Sequence, residues 1–170
     1  MIRFSQLTIE ILSGGNYGIA IWNNSDANPK ISSSYITLRG LQYNYGIYNT
    51  LSSPVIQDVT VEVALGSIRN IAIHSDASSP VINNVQAKAE SPHSSASVIG
   101  LQCLSTSRPC ITNSSFEAES TGSDVYGLTI NTASSGARIT NSRIICGVKD
   151  EASGLQCRGL YDENLAYVGC

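Results

Sequence analysis

The chain has 170 residues, a formal charge of −3 and only 14% charged residues. That length fits one domain. The lack of a Lys/Arg cluster argues against a nucleic-acid partner, and no apolar run reaches the length of a membrane span.

One phrase recurs along the chain. It opens truncated as "RFSQLTIEIL" and returns as "NPKISSSYITLRG" from Asn28, "SSPVIQDVTVEVA" from Ser52 and "SSPVINNVQAKAE" from Ser78. Two further copies are "RPCITNSSFEAES" from Arg108 and "GARITNSRIICG" from Gly136. Aligned on one apolar anchor, the copies begin at Phe4, Ile31, Ile56, Ile82, Ile111 and Ile139. The period of roughly 27 residues lies in the range of stacked repeats. Two residues after the anchor stands Gln6, Ser33, Asp58, Asn84, Asn113 or Asn141, and apolar residues such as Val61 and Val63, or Phe116 and Ala118, follow at alternate positions. Period two with polar residues between marks a strand with one buried face.

A second phrase lies between the copies: "YGIAI" from Tyr17, "YGIYN" from Tyr45, "IAIHS" from Ile71, "IGLQC" from Ile99, "YGLTI" from Tyr126 and "SGLQC" from Ser153. Its small residue is aligned at Gly18, Gly46, Ala72, Gly100, Gly127 and Gly154. Two short strands per repeat, separated by turns rich in Ser, Asn, Gly and Pro, predict an all-β solenoid of about six coils, one coil per repeat. The coils are expected over residues 1–157, the first incomplete, with a cap segment over 158–170. Ile56, Val61, Ile82, Leu101, Ile111 and Leu128 are the expected core. Asp58, Asn84, Asn113 and Asn141 are the expected corner, because Asn and Asp tolerate left-handed backbone and can hydrogen-bond up a column. The chain opens in mid-coil, so Met1 is expected to begin a piece of a longer protein. Its uncovered first strand offers an edge for end-to-end pairing.

The phrases "GIYNTLSSPVIQDVTV", "IAIHSDASSPVINNV" and "GLTINTASSGARITNSRI" resemble the right-handed parallel β-helix repeats of the pectate-lyase-like superfamily. They are similar above all to the "SSP-x-I-x-N" coils of large bacterial secreted proteins. The resemblance covers about residues 4 to 157 and implies a single-stranded right-handed parallel β-helix. It does not imply one activity, because this fold hosts lyases, hydrolases, adhesins and scaffolds.

Five cysteines are present. Cys103, Cys146 and Cys157 fall on inward positions of the strand pattern, and a free Cys suits a core. Cys157 and Cys170 bracket "CRGLYDENLAYVGC", where the repeat grammar stops, and a Cys157–Cys170 disulfide is expected to tie this lid over the last coil. That ending also resembles the C-terminal closure of the secreted proteins named above. Cys103 and Cys110 are a second, separate candidate pair, across "CLSTSRPC". No metal or cofactor site is expected, since the two His lack ligand spacing to the Cys.

Two sets of outward residues are candidates for chemistry. Glu62 and Glu117 flank Lys88 on successive coils, about two rungs apart, a separation suited to an inverting glycosidase. The same trio reads as a solvated column of alternating charge. Trp22, Tyr48 and His74 point outward on consecutive coils of the other strand set, and exposed aromatics with a polar handle suit sugar rings or a protein partner. No regular Thr-x-Thr array supports ice binding. The sequence therefore leads to a non-enzymatic, secreted or cell-surface scaffold or adhesin-like module of bacterial type, with a glycan or a protein as partner. The alternative is a fragment of a carbohydrate-active enzyme, a polysaccharide lyase or glycoside hydrolase, with its catalytic coils upstream.

Overall fold

The structure, a computed structural model, describes residues 2–3, 7–10, 15–131, 136–150, 156–162 and 164–167. Among these no helix occurs, so none is long and apolar enough to cross a membrane. One sheet has nine strands: β1 (Ile2–Arg3), β2 (Leu7–Glu10), β4 (Lys30–Arg39), β6 (Val55–Ala64), β8 (Val81–Glu90), β10 (Cys110–Thr112), β11 (Ser115–Glu119), β13 (Arg138–Ile145) and β15 (Gln156–Tyr161). The other has six: β3 (Tyr17–Asn24), β5 (Tyr43–Thr50), β7 (Arg69–Asp76), β9 (Ser97–Leu104), β12 (Val125–Ile130) and β14 (Val148–Asp150). The strands of both sheets pair in parallel, and the chain alternates between the sheets. This is a parallel β-solenoid, and the six stacked strands of the smaller sheet mark about five turns rather than six coils.

The anchor residues form one straight column. Ile2, Ile31, Ile56, Ile82, Ile111, Ile139 and Cys157 are successive Cα partners. The six expected core residues are all fully buried in one continuous cluster between the sheets. The residue two after each anchor turns the strand: Ser33, Asp58, Asn84, Asn113 and Asn141 have φ of 52, 55, 52, 49 and 47°. This corner is exposed, and the amide of Asn84 donates to Asp58 Oδ1 at 2.7 Å.

The "SSP" element has three separate jobs. The first serine is buried and links coils: the Ser52 N–H donates to Ser78 Oγ and the Ser78 N–H to Ser107 Oγ, each at 3.1 Å. The second is exposed and does the same outside, the Ser79 N–H donating to Ser53 Oγ at 3.1 Å. The proline lacks a donor and sits just before the strand, where its carbonyl accepts from the next coil. The N–H groups of Val55, Val81, Cys110 and Arg138 reach Pro29, Pro54, Pro80 and Pro109 in this way at 2.9–3.0 Å.

Four sequence alignments are corrected by the register. In the first copy Ile2, not Phe4, pairs with Ile31, and Leu7 pairs with Ile36; Phe4 and Gln6 themselves lie outside the described residues. In β3 the match to "YGIYN" is "IAIWN", because Ile19 pairs with Tyr45 and Ile21 with Ile47; Ala20 rather than Gly18 takes the small-residue place. At the far end "SGLQC" is not the second phrase. Val148 pairs with Leu128, so "VKD" fills that sheet, and Cys157 lies in the anchor column with Ile139. Gly159, φ 66°, then takes the corner place beside Asn141. Strand β15 thus carries the sheet across the expected 157/158 boundary. Finally, Cys146 is not a core residue. It is exposed with φ 74°, since β13 ends at Ile145 and the chain turns through Cys146 and Gly147.

Candidate functional site

The candidate site lies on the outer face of the six-stranded sheet. At Gly46–Ile47 two successive residues face inward: Ile47 is in the core, and a Cβ on Gly46 would meet the Val61 side chain and the Ala72 carbonyl. A Cβ on Gly127 would likewise strike the Ile145 carbonyl. The outer residues on the two sides of Gly46–Ile47 are in ring contact. Tyr45 meets Tyr48 edge to face at 5.0 Å between ring centroids, and His74 similarly at 5.6 Å.

Trp22, Tyr48 and His74 stand on consecutive rungs, as Cα partners of one another. Tyr48 and His74 stack at 4.4 Å with 19° between planes. Trp22 is 62% exposed, whereas His74 is only 4% exposed. His74 is thus on the outer side but covered, its Nδ1 2.9 Å from Gln102 Oε1 on the next rung. Burial lowers its pKa, and the Gln102 contact and the Asp76 carboxylate pull the other way. Burial raises that of Tyr48. Beside this column Tyr17 and Tyr43 stack at 4.5 Å and 10°. Arg69 extends the Tyr17–Tyr43 column and approaches the Tyr45 hydroxyl at 3.5 Å. Toward the C-terminal coils the column becomes polar, with Gln102, Thr129 and Lys149 in register.

Sequence reasoning selected the aromatic trio but missed Tyr45, Gln102 and Arg69 as part of the same surface. Tyr43 and Tyr45 alternate in "YNYGIYN", which signals one shared face. Nothing in the phrase marks Arg69, because its contact with Tyr45 is made between neighbouring rungs.

Glu62, Lys88 and Glu117 also lie on consecutive rungs, on the outer face of the nine-stranded sheet. They do not form an isolated acid pair. Lys88 Nζ lies 2.8 Å from Glu119, 3.3 Å from Glu117 and 3.5 Å from Glu90, while Glu62 accepts from the Tyr35 hydroxyl at 2.5 Å. The hydrogen bond to Glu119 raises the Lys88 pKa and lowers that of Glu119, and the bond to Glu62 raises that of Tyr35.

Cys157 is disulfide-bonded and packs against the core; Cys170 lies outside the described residues. Cys103 and Cys110 are both free, so the bond across "CLSTSRPC" does not form. Burial pushes the Cys103 thiol pKa up to about 12. Among the described residues no group of three or more His, Cys, Asp and Glu is placed to hold a metal ion. Comparison with known proteins finds no matching family, no matching curated protein and no matching solved structure.

Proposed function

We propose that this protein is a non-enzymatic β-helix scaffold, secreted or displayed at a cell surface, that binds a glycan along the aromatic shelf of its six-stranded sheet. The observation that carries this reading is the rung-by-rung registration of Trp22, Tyr48 and His74 on one outer face, with Trp22 open to solvent. Rigid rings with polar tips present flat apolar surface to a sugar ring at small entropic cost. A solenoid repeats them about every 4.8 Å, which suits a repeating ligand. The resemblance to pectate-lyase-like coils agrees with such a scaffold without assigning an activity. The disulfide at Cys157 supports an oxidising compartment.

The catalytic alternative is weakened by Lys88, whose ammonium group engages Glu117, Glu119 and Glu90 together. A general acid needs a raised carboxyl pKa, and a neighbouring cation works against that. The test is a glycan array run beside a panel of lyase and hydrolase substrates. The reading expects array binding that is lost in Trp22→Ala, and no turnover. Turnover that disappears in both Glu62→Gln and Glu117→Gln, or an array with no bound glycan, would overturn it.

A further inference from the structure

We propose that Tyr17 is a second sugar platform beside Trp22, and that the pair seats a neutral, extended chain of β-linked pyranoses laid along strand β3. The inference rests on the glycan reading of the shelf. It fixes which rings touch sugar and which class of glycan fits them.

A pyranose packs its C–H groups against the flat, electron-rich face of an aromatic ring. Several faces on the shelf are already used by other rings. Tyr48 and His74 stack on each other at 4.4 Å, and Tyr45 meets both in edge contacts. Tyr43 is covered on one side by Tyr17, the two rings lying 4.5 Å apart at 10°. Two rings differ. Trp22 makes no ring contact among the described residues and is 62% exposed. Tyr17 gives one face to Tyr43, and at 63% exposure its other face is open.

The two open rings stand on one strand, as the first and sixth residues of β3. Their rung partners are Tyr43 and Tyr48, which pack against one outer apolar cluster of Tyr45, Ile71 and Ile99. Ile19, between Tyr17 and Trp22 in the strand, packs against the same cluster. Both platforms therefore belong to one face, and a ligand touching both runs along β3 and crosses the solenoid axis. At the rise of a strand their Cα atoms are up to roughly 17 Å apart, longer than a disaccharide and covered by an extended chain of about four sugars. A chain held at both rings gains by effective concentration over one held at a single ring.

The class of glycan follows from the residues of the strand. Tyr17–Asn24 contains no charged side chain, and Ile19 and the two rings offer apolar surface. Nothing there selects a charged sugar. A β1→4-linked glucose chain keeps its hydroxyls equatorial, shows flat C–H faces and stays extended, so it can reach both platforms. An α1→4-linked chain coils and turns its faces away from one line.

The test is calorimetry with cellobiose, cellotetraose, cellohexaose and maltohexaose. Cellohexaose should bind about tenfold or more tighter than cellobiose, the size of one added ring contact. Cellotetraose should show most of that gain and maltohexaose none of it. The ratio of cellohexaose to cellobiose affinity should fall to about one in Tyr17→Ala, with cellobiose binding intact, and should be kept in Tyr17→Phe. Removing the Tyr17 ring uncovers Tyr43 one rung away, so the ratio is also measured in Tyr17→Ala combined with Tyr43→Ala. A gain lost only in that double variant still supports the second platform. Equal binding of cellobiose and cellohexaose to the native protein overturns this inference and leaves the glycan reading standing. So does a ratio that survives the double variant, or maltohexaose that equals cellohexaose. So does failure of all four probes while an array glycan binds through Trp22. Absence of binding to the probes and to the array overturns both.

Discussion

Asn49 shows how the interior combines apolar packing with polar ladders. It is buried, accepts from Asn23 Nδ2 at 2.8 Å and donates to Ser75 Oγ at 3.3 Å. A second inner ladder joins Asn44 to Asn70 at 3.0 Å, and Asn70 in turn closes the Gly66 turn with two bonds at 2.9 Å. Each amide spans two coils, so removing one leaves buried partners unpaired. Asn49→Ala should therefore cost about 1–3 kcal/mol in urea unfolding. A change near zero would mean that the ladder carries no net stability. His74 gives the residue scale a pH signature. Its folded pKa lies below the ordinary 6.5 because burial against Tyr48 and Tyr45, aided by the Arg69 charge, outweighs the Gln102 contact and the Asp76 carboxylate, which pull it up. Just below that value the unfolded chain binds more protons than the folded one. Stability should consequently fall as pH drops through about 6.5 and level off below the folded pKa. This component should vanish in His74→Gln, and an unchanged pH profile in that variant would refute the assignment.

At the scale of the strand, stability comes from apolar residues stacked on like residues one rung away. Ile82 is fully buried and pairs with Ile56 on one side and Ile111 on the other. Ile82→Ala should cost about 2–5 kcal/mol by chemical denaturation, whereas a near-neutral effect would contradict the column. The anchor strands were legible in the sequence because alternation and the "SSP" turn coincide in every central copy. The corner at Asp58, Asn84 and Asn113 was legible because residue type and backbone requirement agree. Other corners were not: Leu51, Leu65 and Ala77 have φ of 50, 66 and 48°. Left-handed backbone is unfavourable for such residues, so nothing in their chemistry announces it; backbone bonds to the next coil hold two of them, the Leu51 N–H donating to the Asp76 carbonyl at 3.1 Å and the Ala77 N–H to that of Leu104 at 3.4 Å. The last coil misled for a related reason. "SGLQC" repeats "IGLQC" almost letter for letter, but register is decided by which inner column a residue extends. The step from Ile139 to Cys157 is 18 residues, too short for the full repeat.

For the whole molecule, each coil touches only its neighbours, so a change at one end need not spread. Reduction of the disulfide at Cys157 should raise amide exchange in β15 and β13 and leave β6 and β8 protected. Uniform loss of protection would instead indicate a single cooperative unit. The aromatic face was only half legible in the sequence. Trp22, Tyr48 and His74 were selected by their outward parity, but the covering of His74 by Tyr45 and Gln102 and the contact of Arg69 with Tyr45 needed the side-chain geometry. The outer charges at Glu62, Lys88 and Glu117 were also placed correctly by parity, while their network with Glu90 and Glu119 needed the side-chain geometry.

The chain contains a single tryptophan, and it lies on the proposed shelf. Its fluorescence therefore reports on that face alone. The most direct measurement is the emission of Trp22 during titration with a glycan whose binding to the native protein is established by calorimetry. Stacking of a sugar on the indole should remove water from it, giving a saturable blue shift with the calorimetric midpoint, and Tyr48→Ala should weaken that binding. Saturable glycan binding with no change in Trp22 emission would place the ligand elsewhere and contradict the shelf as the binding site.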